Sequence, residues 1–483
     1  MKTQKTDKPD KTYGLTADMV VIGGGAGLAA AVAAAEKGVK VIVLERLKKT
    51  GGNAALAVGI LAAESPVQNR LKIDATKEHL FKASMDYARW LTDPRIVKAY
   101  IDKSGDTIRW LEDMGIAFED IPFCYPNQFP RIFHVIAGHG HRLIHTMQKR
   151  CGELGVKILC ETAGKKISIS KNGEVAGVIA KQREKTLSIE TKSVVIATGG
   201  YSGDKRLLRK HYPYYTDSLR LYGIPCPGDG LRMALEAGAA TEGLGAVIAM
   251  GPLFEGSNYV HVVCMESNNV WVNKNGERFI NEDIIPSASS NALNIQPNRI
   301  SFALFDSKIK QGFINDGIIK AVEPAKYPAG TKMKGLDNEL RTEESRGKIK
   351  ISRSWKEIAE WIGADLNTLE NTIAEYNRYC DKGWDDEFYK NRRFLQPLKT
   401  PPFYALRCAQ AYHCTIGGIK INHRMEVINK DNQKIPGLYA SGNDAGGWVS
   451  VTYPHHLTGT ALGFALNSAR MAGENAAGYI IRK

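Results

Sequence analysis

Apolar residues fall into short runs that end at glycine clusters, with stretches of helical character between them. Asp18 to Ile22 (DMVVI) is β-branched and apolar and stops at Gly23-Gly24-Gly25-Ala26-Gly27. A short apolar run bounded by glycine reads as a buried strand. Leu28 to Lys37 is alanine-rich, which favours helix, and Gly38 ends it. Val39 to Leu44 (VKVIVL) is a second buried strand, followed at once by Glu45. Strand, glycine turn, helix and strand make a βαβ unit with parallel strands. Two later segments repeat its opening: Val194 to Gly200 (VVIATGG) and Pro436 to Gly447 (PGLYASGNDAGG) each run from a strand into a glycine-rich loop. Trp355 to Tyr379 reads as two short amphipathic helices, and Thr458 to Gly473 as a final helix. Residues 1–16 are polar and lysine-rich, a segment expected to be mobile.

The glycine turn carries the first chemistry. It lets backbone approach a pyrophosphate at a helix N-terminus, where free N–H groups and the helix dipole favour anions. Glu45 lies 22 residues after Gly23, where an acid binds ribose hydroxyls. The GGGAG loop is one residue shorter than the G-x-G-x-x-G pattern, so the part each glycine plays stays open. Thr50-Gly51-Gly52-Asn53-Ala54 follows the acid. Three separated glycine-rich strand ends converging on one extended cofactor suit FAD better than NAD.

Composition narrows the class. With 483 residues, 43% hydrophobic and 24% charged, the chain is ordinary globular material with room for two domains. Its net charge of +14 reads as a solvated surface, because no basic stripe with interleaved aromatics points to nucleic acid. The lysine-rich stretch from Lys320 to Lys350 fits the same reading. The eight cysteines form no CxxC or CxxCH, so no metal or haem site is expected, and scattered thiols suit the reducing cytoplasm. Met19 to Ala35 is uncharged, but three consecutive glycines break it, Asp18 sits at its edge and it falls short of the ~20 apolar residues of a membrane span, so neither a span nor export is expected.

Taken together, GGGAGLAAA (Gly23–Ala31), TGGN (Thr50–Asn53), ATGG (Ala197–Gly200), GDGLRMALEAGA (Gly228–Ala239), VNKNGERFINE (Val272–Glu282), TIGGIKIN (Thr415–Asn422), PGLYASGNDAGG and the last helix resemble a known set. The chain is similar to the flavoprotein superfamily of fumarate reductases, succinate dehydrogenase flavoprotein subunits, urocanate reductases and 3-ketosteroid dehydrogenases. That resemblance implies an α/β protein, with a Rossmann-like FAD-binding domain around a central parallel sheet and an inserted α+β capping domain. Boundaries are expected at 17–244 and 415–483 for the two parts of the FAD-binding domain and 245–414 for the insert. The implied FAD contacts are Gly23, Gly25, Ala26, Gly27, Glu45, Arg46, Gly51, Gly52, Asn53, Ala54, Gly59, Thr198, Gly199, Gly200, Gly442, Asn443, Thr458, Thr460, Ala461 and Leu462. Whether the flavin is covalently attached stays open.

The same resemblance frames the catalytic residues. Fumarate reductases carry a proton-donating arginine eight residues after the arginine of the GERF-like motif; here that register runs from Arg278 to Pro286. Their second carboxylate-binding arginine falls near the start of the last helix, where this chain has His456. Both departures argue against a dicarboxylate substrate. His413 matches the histidine that precedes TxGG in that family. Tyr453-Pro454 echoes the pair in 3-ketosteroid dehydrogenases whose tyrosine polarises a ketone, although His455-His456-Leu457 replaces the Gly-Pro-Gly that follows it there. The implied activity is hydride transfer between flavin and an activated C–C bond, most simply reduction of an α,β-unsaturated carbonyl compound, with Tyr453, His456 and His413 as the catalytic set. The alternatives are an unsaturated-carboxylate reductase and an electron-transfer flavoprotein. Electrons are expected to pass through a separate protein, quinone or nicotinamide. Weaker candidates are Tyr125, His134, His139, His141, Tyr201 and Tyr222.

Overall fold

The computed structural model describes residues 12–119, 121, 131–320 and 327–483. Tyr125 lies outside the described residues. The chain divides into two compact units. The first takes the chain up to Tyr215, then Gly223–Ile248 and His413–Lys483; the second takes Thr216–Tyr222 and Ala249–Tyr412. The insert is thus entered a few residues later and left slightly earlier than the sequence boundaries of 245 and 414. It also claims Thr216–Tyr222, seven residues from within the segment 17–244 expected to belong to the FAD-binding domain.

The first unit is built on a six-stranded sheet. Its strands are β1 (Met19–Ile22), β2 (Val41–Leu44), β3 (Lys157–Leu159), β4 (Ser193–Ile196), β5 (Glu426–Ile428) and β6 (Lys434–Ala440), in the order β5-β6-β4-β1-β2-β3. All pairs are parallel except β5 with β6. Val21 sits at the centre, opposite Val43 on one side and Val195 on the other. Every residue of β1, β2 and β4 is buried, as parallel strands covered on both faces must be. Each fully buried Val or Ile side chain there contributes roughly 1.5–3 kcal/mol.

Three helices matter for the site: α1 (Gly27–Ala35), α2 (Asp229–Glu236) and α3 (Thr460–Ile481). All nine residues of α1 are buried. Its alanines let α3 approach so closely that a Cβ at Gly473 would stand 2.2 Å from the Ala30 carbonyl oxygen. Thr12–Thr16, assigned from sequence to a mobile segment, is instead a strand. It pairs parallel with Lys185–Glu190 at the edge of a second, four-stranded sheet. Its polar composition hid it, since an edge strand need not carry an apolar run.

The second unit is α+β. Ile300–Asp306 and Ile349–Ser352 both run antiparallel to the strand that contains Phe403–Ala409, and Phe305 stacks on Tyr404 at 5.0 Å. Within it, the GERF-like motif folds into a buried charge network. Arg278 Nη2 lies 2.9 Å from Asp385 and 3.1 Å from Glu282, and Lys390 Nζ lies 3.2 Å from Glu282. A third carboxylate, that of the partly exposed Glu387, lies 3.5 Å from Arg278 Nη1, and the rings of Tyr376 and Phe388 cover the guanidinium. The carboxyls of Glu282 and Asp385 are held below the usual carboxylate range by these cations against the cost of burial. Among the described residues, no helix is long and apolar enough to cross a membrane.

Candidate functional site

A cavity of about 380 Å³ opens at the ends of β1, β2, β4 and β6, wholly within the first unit. Its first wall is the turn after β1. A Cβ at Gly23 would meet the Ala197 carbonyl oxygen at 2.1 Å, so only glycine lets β1 and β4 end side by side. Gly25 and Ala26 then line the cavity just before α1, whose N-terminus no side chain caps. That leaves peptide N–H groups and the positive end of the helix for an anion. Glu45, at the end of β2, accepts the Gly24 N–H on Oε2 at 2.9 Å and the Leu47 N–H on Oε1 at 2.8 Å. Both oxygens keep a lone pair for the cavity side, as recognition of a vicinal diol requires.

The opposite wall comes from the C-terminal stretch. Ser441, Gly442 and Asn443 follow β6, and Ala461, Leu462 and Ala465 come from the first turns of α3. Ser441 Oγ and Asn443 Oδ1 are buried without a hydrogen-bond partner in the protein. Buried polar atoms are normally satisfied, so these two mark where a polar ligand belongs. Asn443 Nδ2 donates to Cys414 Sγ at 3.0 Å, and burial pushes the Cys414 and Cys226 thiols up to about 12 and about 11. The anion seat, the diol acceptor and these orphaned atoms, strung along one cleft, fit an extended dinucleotide. FAD would be held by the β1–α1 turn, Glu45, Asn53, Thr198-Gly199 and the start of α3.

Most of the residues expected from sequence meet here: Gly23, Gly25, Ala26, Glu45, Arg46, Gly51, Gly52, Asn53, Ala54, Thr198, Gly199, Gly442, Asn443, Ala461 and Leu462 all line the cavity. Five do not, each for a packing reason. A Cβ on Gly27 would lie 2.9 Å from Val21 and Ala197, so it spaces helix from sheet. One on Gly59 would lie 2.3 Å from the His134 carbonyl oxygen, inside the two-stranded antiparallel sheet of Gly59–Leu61 with Phe133–Val135. Gly200 turns its N–H to Asp444. Thr458 and Thr460 donate their hydroxyls to the carbonyls of His455 and Leu457, folding the loop before α3. Sequence reasoning missed Ser441, Ile248 and the segment from Ile224 to Pro227. That segment is coil without periodicity; Asn53 fixes it by accepting the Ile224 N–H at 2.8 Å and donating to its carbonyl at 3.1 Å.

Of the expected catalytic set, His413 lines the cavity directly. Tyr453 is buried, and its hydroxyl accepts the Ala461 N–H at 2.9 Å, at the very start of α3. His456 packs on Tyr87 at 4.5 Å, and the Tyr87 hydroxyl donates to the Tyr453 carbonyl at 3.2 Å. His455, named from sequence beside His456 but not in the catalytic set, is edge-on to Tyr453 at 4.8 Å. Burial, with His413 and His456 adding to it, drives His455 down to about 3, and burial drives His456 down to about 4. Both are therefore neutral at pH 7.

The weaker candidates stand apart from the cavity. His134 is buried, 2.6 Å from the Ser65 hydroxyl and 3.0 Å from the Ile132 carbonyl, and burial takes it down to about 4. His139 and His141 belong to the helix His139–Glu153 and do not line the cavity. Tyr201 is buried and accepts the Gly245 N–H. Tyr222 belongs to the second unit and stacks on His261 at 5.3 Å.

The family described as FAD binding domain matches residues 18–459. A vinyl phenol reductase of Lactiplantibacillus plantarum is 31% identical, with 96% of each chain covered. A fumarate reductase (cytochrome) of Shewanella frigidimarina is 28% identical, with 96% of this chain and 77% of that one covered. The solved 3-ketosteroid-Δ4-(5α)-dehydrogenase of Rhodococcus jostii RHA1 shares the fold, with a TM-score of 0.77, 22% identity and coverage of 96% and 97%. The chain belongs to the FAD binding domain family that it shares with these reductases, and is an FAD-dependent oxidoreductase acting on CH–CH groups.

Proposed function

We propose that the protein reduces the C=C bond of a neutral alkene conjugated to an oxygen function, of the enone or hydroxystyrene type. The observation that carries this reading is the Tyr453 hydroxyl seated on the first free N–H of α3, beside a cavity wall that includes His413. Bound FAD supplies a hydride to one alkene carbon. Tyr453 supplies the polar counterpart. Its O–H would hydrogen-bond the substrate and give its proton to the other alkene carbon, and the phenolate left behind would be stabilised by the Ala461 N–H and the positive end of the helix until a proton from solvent replaces the one transferred. His455 and His456, neutral at working pH, add no positive charge beside it, which suits a neutral substrate better than a carboxylate.

Two further features support the absence of a carboxylate clamp. Arg278 is locked in its buried network, and Pro286, at the register of the family's proton-donating arginine, starts the helix Pro286–Asn294. Arg46 borders the Glu45 end of the cavity, where its Nη2 donates to the Pro225 carbonyl. A vinyl phenol reductase among the relatives supports the neutral class. The seven described cysteines are free thiols, which suits the cytoplasm, and electrons would arrive from a separate protein, quinone or nicotinamide donor.

The test is anaerobic: the flavin of the purified protein is photoreduced, a compound is added, and absorbance near 450 nm is followed. A 3-keto-4-ene steroid or 4-vinylphenol should restore the oxidised spectrum, and Tyr453→Phe should slow that return on the order of 10²-fold or more. Faster reoxidation by fumarate than by either neutral compound would refute the proposal and leave the carboxylate-reductase reading in its place.

A further inference from the structure

We propose that Asp444 is a positioning residue that sets the reduction potential of bound FAD from one layer behind the cavity wall. The inference rests on the cofactor assignment and not on the substrate class. Asp444 is 1% exposed, and among the described residues no ion pair involves it. Its charge is met only by neutral donors. Oδ2 accepts the Gly199 N–H at 2.9 Å, Oδ1 accepts the Gly200 N–H at 3.1 Å, and the Thr198 hydroxyl lies 2.9 and 3.0 Å from the two oxygens. Gly199 and Gly200 have φ of +90° and +89°, and this left-handed pair is what turns two successive N–H groups onto one carboxylate. The start of α2 presses on it as well: a Cβ at Gly230 would stand 3.0 Å from Asp444 Oδ1 and 2.3 Å from Thr198 Oγ1.

The connection to the cofactor is short. Thr198 and Gly199, which hold the carboxylate, themselves line the cavity, and so does Asn443 beside it in the chain. Asp444 therefore joins the glycine turn after β4 to the segment after β6, two walls of one cleft. It also places an unneutralised negative charge behind them, where water does not screen it. Buried charges act over longer distances than exposed ones, and an anion opposes addition of further negative charge nearby. Reduction adds electrons to the cofactor, so this carboxylate favours the oxidised form over the reduced one. Burial outweighs the three donors and raises the carboxyl above its ordinary range, which shows how little cationic compensation it has.

A purely mechanical pin and an electrostatic one predict different things. Loss of a pin weakens binding of oxidised and reduced cofactor alike and leaves the midpoint potential in place. Loss of the charge changes the two unequally. FAD-loaded wild-type, Asp444→Asn and Thr198→Ala proteins would be titrated reductively with an equilibrating dye at fixed pH, and the midpoint read from flavin absorbance. Asp444→Asn should raise the midpoint by at least about 30 mV, equivalent to a tenfold gain of reduced over oxidised binding. Thr198→Ala, which strips a neutral donor but keeps the charge, should move it the other way. An unmoved midpoint in Asp444→Asn overturns the proposal even if FAD affinity falls. If that variant does not load cofactor, Thr198→Ala decides: a negative shift supports the proposal, and no shift or a positive one overturns it.

Discussion

Acidification should loosen the first unit through the histidines beside α3. His455 and His456 are held at about 3 and about 4, against about 6.5 in an unfolded chain. The folded state resists protonating them and the unfolded state does not. Their contribution is whole above pH 6.5 and is lost progressively as pH falls toward the folded values. At about 1.4 kcal/mol per pH unit, each costs about 2 kcal/mol between pH 7 and pH 5. The pair would cost about 4 kcal/mol, and partial exposure of both rings to solvent trims this to about 3 kcal/mol. That is a large part of a typical stability of about 5–15 kcal/mol. A whole-chain melt would blur the effect, because Glu266 in the second unit acts oppositely. Burial raises its carboxyl to about 7, so its contribution is present at low pH and lost as pH rises through 7. The assay is therefore amide hydrogen exchange on peptides of α3, corrected for intrinsic rates, at pH 7 and pH 5. Wild-type α3 should lose about 3 kcal/mol more protection than the His455→Asn/His456→Asn double variant. Equal losses in the two proteins, within about 0.5 kcal/mol, would refute the reasoning.

Other outcomes follow from the same geometry. Glu45→Gln puts an amide N–H₂ where the carboxylate now accepts a backbone N–H; FAD affinity, followed by flavin fluorescence, should fall at least tenfold with Tyr453 chemistry otherwise intact. Arg278→Met strands Glu282 and Asp385 beside Lys390, and the second unit should lose about 3–5 kcal/mol, read by exchange on peptides of Ile300–Asp306.

The sequence spoke most clearly where backbone chemistry and burial agree. The run Met19–Ile22 had to be a strand because all four residues are apolar, and its glycine turn had to approach another backbone because Gly23 has no room for a side chain. Glu45 was legible from its place after a strand. Gly59 and Gly27 looked equally like ligand contacts, yet their missing Cβ atoms make room for protein. Composition cannot tell those two uses of glycine apart. Ser441 and the Ile224–Pro227 coil were invisible for the opposite reason: their place on the cavity depends on partners far along the chain, such as Asn53. Tyr453 was readable as a motif, but only the fold shows its hydroxyl holding the end of α3.

The order of strands in the central sheet has a consequence for synthesis. β1 and β4 are complete by Ile196, but β6 and α3, which close the cavity, begin only at Lys434 and Thr460. At roughly 5–20 residues per second, tens of seconds of translation separate the two halves. Through that interval one edge of β4 has no strand beside it, and α1 lacks the helix that covers its alanines. The nascent chain thus carries a half-built nucleotide cleft with an open apolar edge, and cofactor capture must wait until β6 and α3 have emerged from the ribosome.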